Sequence, residues 1–280
     1  MRSIHVQDII ATVKRLCIEA NYHLPQDICS SLRNAQQLEE AASSKQVLSD
    51  VLQNAAIAAE QEAALCQDTG MVVVFLDLGQ SVQIVGGLMS DAVNEGVRQA
   101  YQEQPFRYSV VEDPLFRTNT GDNTPAILHV QLVAGDRCRI MVAPKGFGSE
   151  NMSRVYMLNP AQGWEGVQEK VLATIREAGP NPCPPLVVGI GLGGTMEKAA
   201  LLAKRALFRP LGEPNPDERY AAFEQSLLQS INASGIGPAG IGGRTTALAV
   251  HIDTYPTHIA GLPLAINLQC HACRHQAAIL

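Results

Sequence analysis

The sequence predicts a mixed α and β fold: one domain over 1–280, with a helical part, 1–65, ahead of mixed β-sheets flanked by helices. Apolar residues recur at helical spacing through the first quarter, and short β-rich runs punctuated by glycine begin at Met71. Hydrophobic residues make up 46% of the chain and charged residues 17%, which suits a packed core rather than a disordered chain. Only 5% are aromatic, so the core must be aliphatic. A chain of this length buries roughly 75% of the surface that its unfolded form exposes.

Val6, Ile9, Ile10, Val13, Leu16 and Cys17 line one face of a first helix, and Leu48, Val51, Leu52, Ala55 and Ala59 one face of another. Pro25 and the polar stretch around Gln36 mark breaks or a short intervening helix, so two or three helices precede Cys66. MVVVFLDLG and SVQIVGG read as strands bounded by Gly70, Gly79, Gly86 and Gly87. Ser90, whose hydroxyl can cap a first turn, starts a helix through Ala92, Val93, Val97 and Ala100. After the polar loop RTNTGDNTPA, the segments AILHVQLV and RCRIMVA read as a hairpin that turns at Ala134, Gly135 and Asp136. LVVGI is a buried strand leading through a glycine-rich turn into the helix TMEKAALLAKRAL. PDERYAAFEQSLLQSIN adds a helix, and TTALAVHI and LPLAINL add two strands.

With 21 Lys and Arg against 27 Asp and Glu, the formal net charge is -6, which weighs against nucleic acid, whose binders need a basic surface. The long uncharged stretches are broken by Gly, Pro, Asn or Gln, so none reads as a membrane span. Asp8, Lys14, Arg15 and Glu19 interrupt any secretory apolar run. The expected location is cytoplasmic. Seven cysteines, an odd number, do not suggest a disulfide framework there, so metal or thiol chemistry becomes the question.

Cys66 precedes three polar residues and a glycine in CQDTG, a site-like composition, although a lone cysteine beside a strand is more often inert packing. Cys183 lies in GPNPCPP, where Pro182, Pro184 and Pro185 fix the thiol on a stiff loop; the plain alternative is a rigid turn with an incidental thiol. Cys270 and Cys273 form a single CxxC in QCHACRH, a weak signal for a redox pair or half a zinc site, with His271 and His275 as further candidate ligands. GIGLGGTMEKAA and GIGPAGIGGRTT offer either anion-binding backbone or close backbone packing, and KGFGSEN sets Lys145 beside glycines. Gly189, Gly191 and Gly194 satisfy GxGxxG, but no strand ending in a ribose-binding acid follows, which disfavours a dinucleotide.

Taken in order, CQDTG, NTGDNTPA, KGFGSEN, the isolated Cys183, GIGLGGTMEKAALLAKRAL, GIGPAGIGG and QCHA resemble the alpha subunit of class I, iron-sulfur fumarate hydratases and the related tartrate dehydratases. The resemblance covers about residues 5 to 275. It implies the hydro-lyase alpha-subunit fold and a [4Fe-4S] cluster held by Cys66, Cys183 and Cys270, with Cys17, Cys29 and Cys138 structural. Three ligands rather than four leave one iron open to oxygen ligands. The implied reaction is reversible hydration of fumarate to malate. Gln67, Arg107 and Gly148 are implied to bind substrate, and Asp68 and His258 to act catalytically.

The resemblance also implies a separate beta subunit that completes the pocket and supplies the base, with alpha-beta pairs in a higher oligomer. The alpha chain alone is then expected to turn over little. Tartrate or a methylated fumarate is the alternative substrate, and a non-catalytic iron-sulfur scaffold or sensor the alternative of another class. A zinc protein built on Cys270, Cys273 and nearby histidines predicts colourless, air-stable material, whereas the cluster predicts brown protein that bleaches in oxygen.

Overall fold

The computed structural model describes residues 2–280. The chain opens with β1 (Arg2–His5), α1 (Val6–Tyr22), α2 (Gln26–Leu38) and α3 (Ala42–Gln61), so three helices precede Cys66. It continues through β2 (Met71–Gly79), β3 (Val82–Val85), α4 (Met89–Glu103), β4 (Ile127–Val133), β5 (Cys138–Lys145), the single turn α5 (Phe147–Glu150) and β6 (Arg154–Leu158). Then follow α6 (Gly163–Ala178), β7 (Leu186–Gly193), α7 (Met196–Ala206), α8 (Glu218–Asn232), β8 (Ala247–Tyr255), β9 (Leu262–Gln269) and β10 (Gln276–Ile279). The mixed α and β class is as expected. Two compact units form, each discontinuous in sequence: one takes the chain up to Pro25, Asn54–Phe147 and Arg274–Leu280, the other Gln26–Gln53 and Gly148–Cys273. The helical part is divided between them, with α1 in the first unit and α2 in the second.

In the first unit a four-stranded sheet has the order β10-β5-β2-β4, and β1 pairs separately with β3. Here the expected hairpin is corrected: β4 and β5 do not pair but flank β2, which runs parallel to β4 and antiparallel to β5. The reason is burial. Val72 to Leu76 are buried in succession, so β2 needs partners on both edges, whereas the half-exposed β4 suits an edge. The start of α4 is also corrected: Leu88 occupies the cap position without a side-chain bond, and Ser90 lies inside the first turn. Ile9, Val13 and Leu16 of α1 pack with Val93, Val97 and Tyr101 of α4 over Val72, Val74 and Ile140. Gly96 permits that approach, since a Cβ there would stand 2.8 Å from the Ile10 carbonyl oxygen.

In the second unit the sheet order is β6-β9-β7-β8, with β8 parallel to β7 and β9 antiparallel to it. The helices α6 and α8 contribute Val167, Val171, Ile175, Leu227 and Ile231 to a core over Val188, Ile190, Ile252 and Ile266. Against β7 lies α7, whose Ala199 and Ala203 are fully buried. A Cβ on Gly191 would fall 2.0 Å from the Ala199 carbonyl oxygen, so Gly189 and Gly191 serve close backbone packing rather than anion binding. The sequence reading did not anticipate α6, β1, β6 or β10. Val167, Val171 and Ile175, four apart, carried the signal for α6.

Candidate functional site

In the first unit, α3 ends at Gln61 and Cys66 stands on the loop before β2, half-buried. The loop is pinned from several sides. The Leu65 amide donates to the Asn21 carbonyl at 2.9 Å, and Asn54 Nδ2 donates to the Leu65 carbonyl at 2.9 Å. Asp68 Oδ1 accepts from the Gly70 amide at 3.0 Å and Oδ2 from the Phe147 amide at 2.9 Å, so both carboxylate oxygens are oriented by backbone. Gly70 has φ +78, and a Cβ there would meet the Lys145 backbone at 2.7 Å. The Thr69 hydroxyl donates to the Arg107 carbonyl at 2.9 Å, which ties Arg107 to this loop while its side chain is exposed; Gln67 is exposed as well. Asn123 of NTGDNTPA joins the same assembly, donating to the Gly70 carbonyl at 3.1 Å and accepting from the Ser109 amide at 2.7 Å.

In the second unit, Cys183 takes φ 55, a left-handed conformation costly for a side-chain residue, and is exposed. Its amide donates to the Pro180 carbonyl at 3.0 Å. Its carbonyl accepts twice from His271, from the amide at 3.3 Å and from Nδ1 at 3.0 Å. A carbonyl only accepts, so Nδ1 carries the proton. Cys270, half-buried, follows β9 directly, and the pairing of Val187 with Gln269 sets Cys270 and Cys183 at one end of the sheet. Gly148 is exposed, and a Cβ there would meet nothing nearer than the Asn181 carbonyl oxygen at 3.5 Å.

The GIGPAGIGG segment buttresses the Cys183 loop: the Ala239 amide donates to the Pro184 carbonyl at 2.9 Å, and Gly240 lies against Pro180. The anion this segment meets is the chain's own Glu39. That carboxylate is buried and accepts from the Arg244 amide at 2.8 Å. Burial works to raise its pKa, but bonds from the amides of Arg244, Ala41 and Glu40 prevail and hold it below the ordinary value.

His258 lies elsewhere. It follows β8, whose Tyr255 pairs with Gly193 at the far end of β7 from Val187. Six residue steps of about 3.3 Å, roughly 20 Å, therefore separate it from the Cys183 end. There it lines an apolar cavity of about 380 Å³ with Trp164, Leu192, Tyr220 and Phe223.

The remaining cysteines differ in kind. Cys17, Cys138 and Cys273 are fully buried. Burial pushes the Cys17 thiol far up, and burial together with Asp77 raises Cys138 to about 11. The Cys273 sulfur lies 3.7 Å from the Leu207 carbonyl oxygen, which separates it in environment from Cys270 in the CxxC. Cys29 is half-buried, its pKa raised chiefly by burial. Sequence reasoning passed over Arg274, which is 2% exposed and donates through Nη2 to the Asp68 carbonyl and through Nε to the Pro144 carbonyl. Its one legible signal was a charge within a predominantly apolar C-terminal segment.

The profile of the fumarate hydratase (Fumerase) family matches residues 10–279. The L(+)-tartrate dehydratase subunit alpha of Escherichia coli K12 is 30% identical over 256 residues, which is 90% of this chain and 84% of its own. A Methanocaldococcus jannaschii protein, 42% identical over 275 residues, covers 96% of this chain and 95% of its own, and carries the same subunit name provisionally. These matches, which span nearly the whole chain, place it among the hydro-lyases. The chain belongs to the fumarate hydratase (Fumerase) family. No helix among the described residues is long and apolar enough to cross a membrane.

Proposed function

We propose that this chain is the cytoplasmic alpha subunit of a two-subunit [4Fe-4S] hydro-lyase that interconverts fumarate and malate. The donor set supports the cluster: Cys66, Cys183 and Cys270 are soft donors, none of them fully buried. A second support is Arg274 Nη1, a buried nitrogen without a hydrogen-bond partner, as expected where an anionic group is held. Among the described residues no three His, Cys, Asp or Glu side chains are grouped to hold one metal ion; a cube holds its ligands further apart than a single ion does. When bound, such a cluster supplies Lewis acidity toward substrate oxygen, without net redox change.

The chain's own residues orient the substrate. The Arg107 guanidinium matches a carboxylate in a bidentate fork, the Gln67 amide donates to substrate oxygen, and Gly148 leaves its backbone open to close approach. Asp68 is held by two amides, so it suits the role of a fixed acceptor for a substrate hydroxyl. A mobile base is then left to the beta subunit, which the alpha-subunit names of the relatives support. His258 stands roughly 20 Å from the Cys183 end, so in this reading its imidazole serves the site of another copy of the chain, in an oligomer of alpha-beta pairs.

The observation that carries the reading is the pair of hydrogen bonds that His271 donates to the Cys183 carbonyl, which joins two of the proposed ligand loops. A second reading, dehydration of L(+)-tartrate, is favoured by the names of the relatives. The deciding experiment is anaerobic co-purification with the candidate beta chain, followed by assay on fumarate, malate and L(+)-tartrate. The reading expects brown protein with at least about three irons per chain and fastest turnover of fumarate or malate. Faster tartrate turnover selects the second reading, a cluster without turnover a scaffold or sensor, and colourless active protein neither.

A further inference from the structure

Arg274 is a buried cation whose surroundings, in the first unit, are only partly matched to it. Of its five N–H bonds, one from Nη2 meets the Asp68 carbonyl and that of Nε the Pro144 carbonyl, at 3.3 Å for the latter. Both acceptors are neutral, and Nη1 meets none. No carboxylate pairs with it among the described residues: those of the same loop are committed elsewhere, Asp68 to the Gly70 and Phe147 amides. Burying a guanidinium without an opposite charge is costly, and neutral carbonyls do not remove that cost.

We infer that Arg274 is a positioning residue whose fixed positive charge offsets the anionic cluster, its Nη1 donating a hydrogen bond toward that group. This rests on the function proposed above. The same guanidinium that clamps the CQDTG loop through the Asp68 carbonyl therefore carries the counter-charge, so loop geometry and cluster electrostatics are coupled in one side chain. A resident anion fits better than a substrate carboxylate. A substrate carboxylate comes and goes, and would leave the buried charge uncompensated between turnovers. A cluster carrying three thiolate ligands is negative and remains.

The test uses the anaerobically reconstituted alpha-beta protein and compares wild type, Arg274→Gln and Arg274→Lys by iron content and by cluster midpoint potential. Removing a nearby positive charge makes reduction harder, so the Gln variant should show a lower potential and faster iron loss to a chelator, and the Lys variant should recover the potential more than the iron retention. Wild-type potential and retention in the Gln variant would overturn the inference. Should that variant not fold, protein carrying guanidinium-¹⁵N arginine in the alpha chain alone, as wild type and as Arg107→Ala, decides: a nitrogen coupling to the reduced cluster in electron-nuclear double resonance that persists without Arg107 supports Arg274, and none, or one lost with Arg107, removes it. Wild type that binds no iron overturns the proposed function itself, an outcome distinct from a cluster indifferent to Arg274.

Discussion

His271 grips the carbonyl of Cys183 with both its amide, at 3.3 Å, and its ring Nδ1, at 3.0 Å, although 88 positions separate them in sequence. The residue after one proposed ligand thus holds the backbone of another. Replacing His271 with Ala removes the ring bond only. We expect a loss of about 1 kcal/mol, a fall in unfolding midpoint of about 2–4 °C, and faster release of iron to a chelator, measured by thermal unfolding and iron assay.

Exchanging Cys66, Cys183 or Cys270 for Ser should each leave fewer than about three irons per chain and abolish turnover. Cys17→Ala, Cys138→Ala and Cys273→Ala should keep iron, because those thiols are buried away from solvent. Iron counting after anaerobic reconstitution separates the two groups, and an intact cluster in any of the three Ser variants contradicts the ligand set.

Arg107→Ala should raise KM about tenfold to a hundredfold, the loss of a charged hydrogen-bonding partner, with a smaller effect on kcat if the fork binds ground and transition states alike. Steady-state kinetics check this. An unchanged profile removes Arg107 from substrate binding.

If His258 serves another copy's site, two dead parents should make a live hybrid. Mixing His258→Ala with Cys183→Ser chains and allowing exchange should restore part of the activity, because one site then receives both an intact cluster and a wild-type imidazole. Activity no greater than that of the parents would count against service across copies.

His251 carries a pH prediction. It is 3% exposed, its Nδ1 lies 3.0 Å from the Ala206 carbonyl oxygen, and burial, helped by Arg209, lowers its pKa to about 4. As pH falls below about 6.5 the unfolded chain takes up a proton that the folded chain refuses. Stability is therefore lost between about pH 6.5 and 4, roughly 2 kcal/mol of it by pH 5. Urea unfolding at pH 7 and pH 5 measures the slope, and His251→Gln should flatten it.

Much was legible in the chain because short-range physics wrote it there. Periodicity located α1, α4, α7 and α8 and the strands β2, β7, β8 and β9, since a helix or strand face must repeat to be buried. The proline-framed Cys183 and the polar run after Cys66 marked themselves by composition, and their order along the chain carried the family. Strand partnership was not legible. The turn at Gly135 suggests a hairpin between β4 and β5, but the doubly buried β2 takes the place between them.

Sequence by itself determined the class of fold, the family and the candidate thiols, because residue type and spacing act locally. Only the tertiary structure decided what the glycine-rich segments do, that His271 ties down Cys183, that His258 stands at the other end of its sheet, and that Arg274 is buried. Each of these depends on which distant backbones approach within hydrogen-bonding or van der Waals distance, and that is set by sheet order and register, which no single segment encodes.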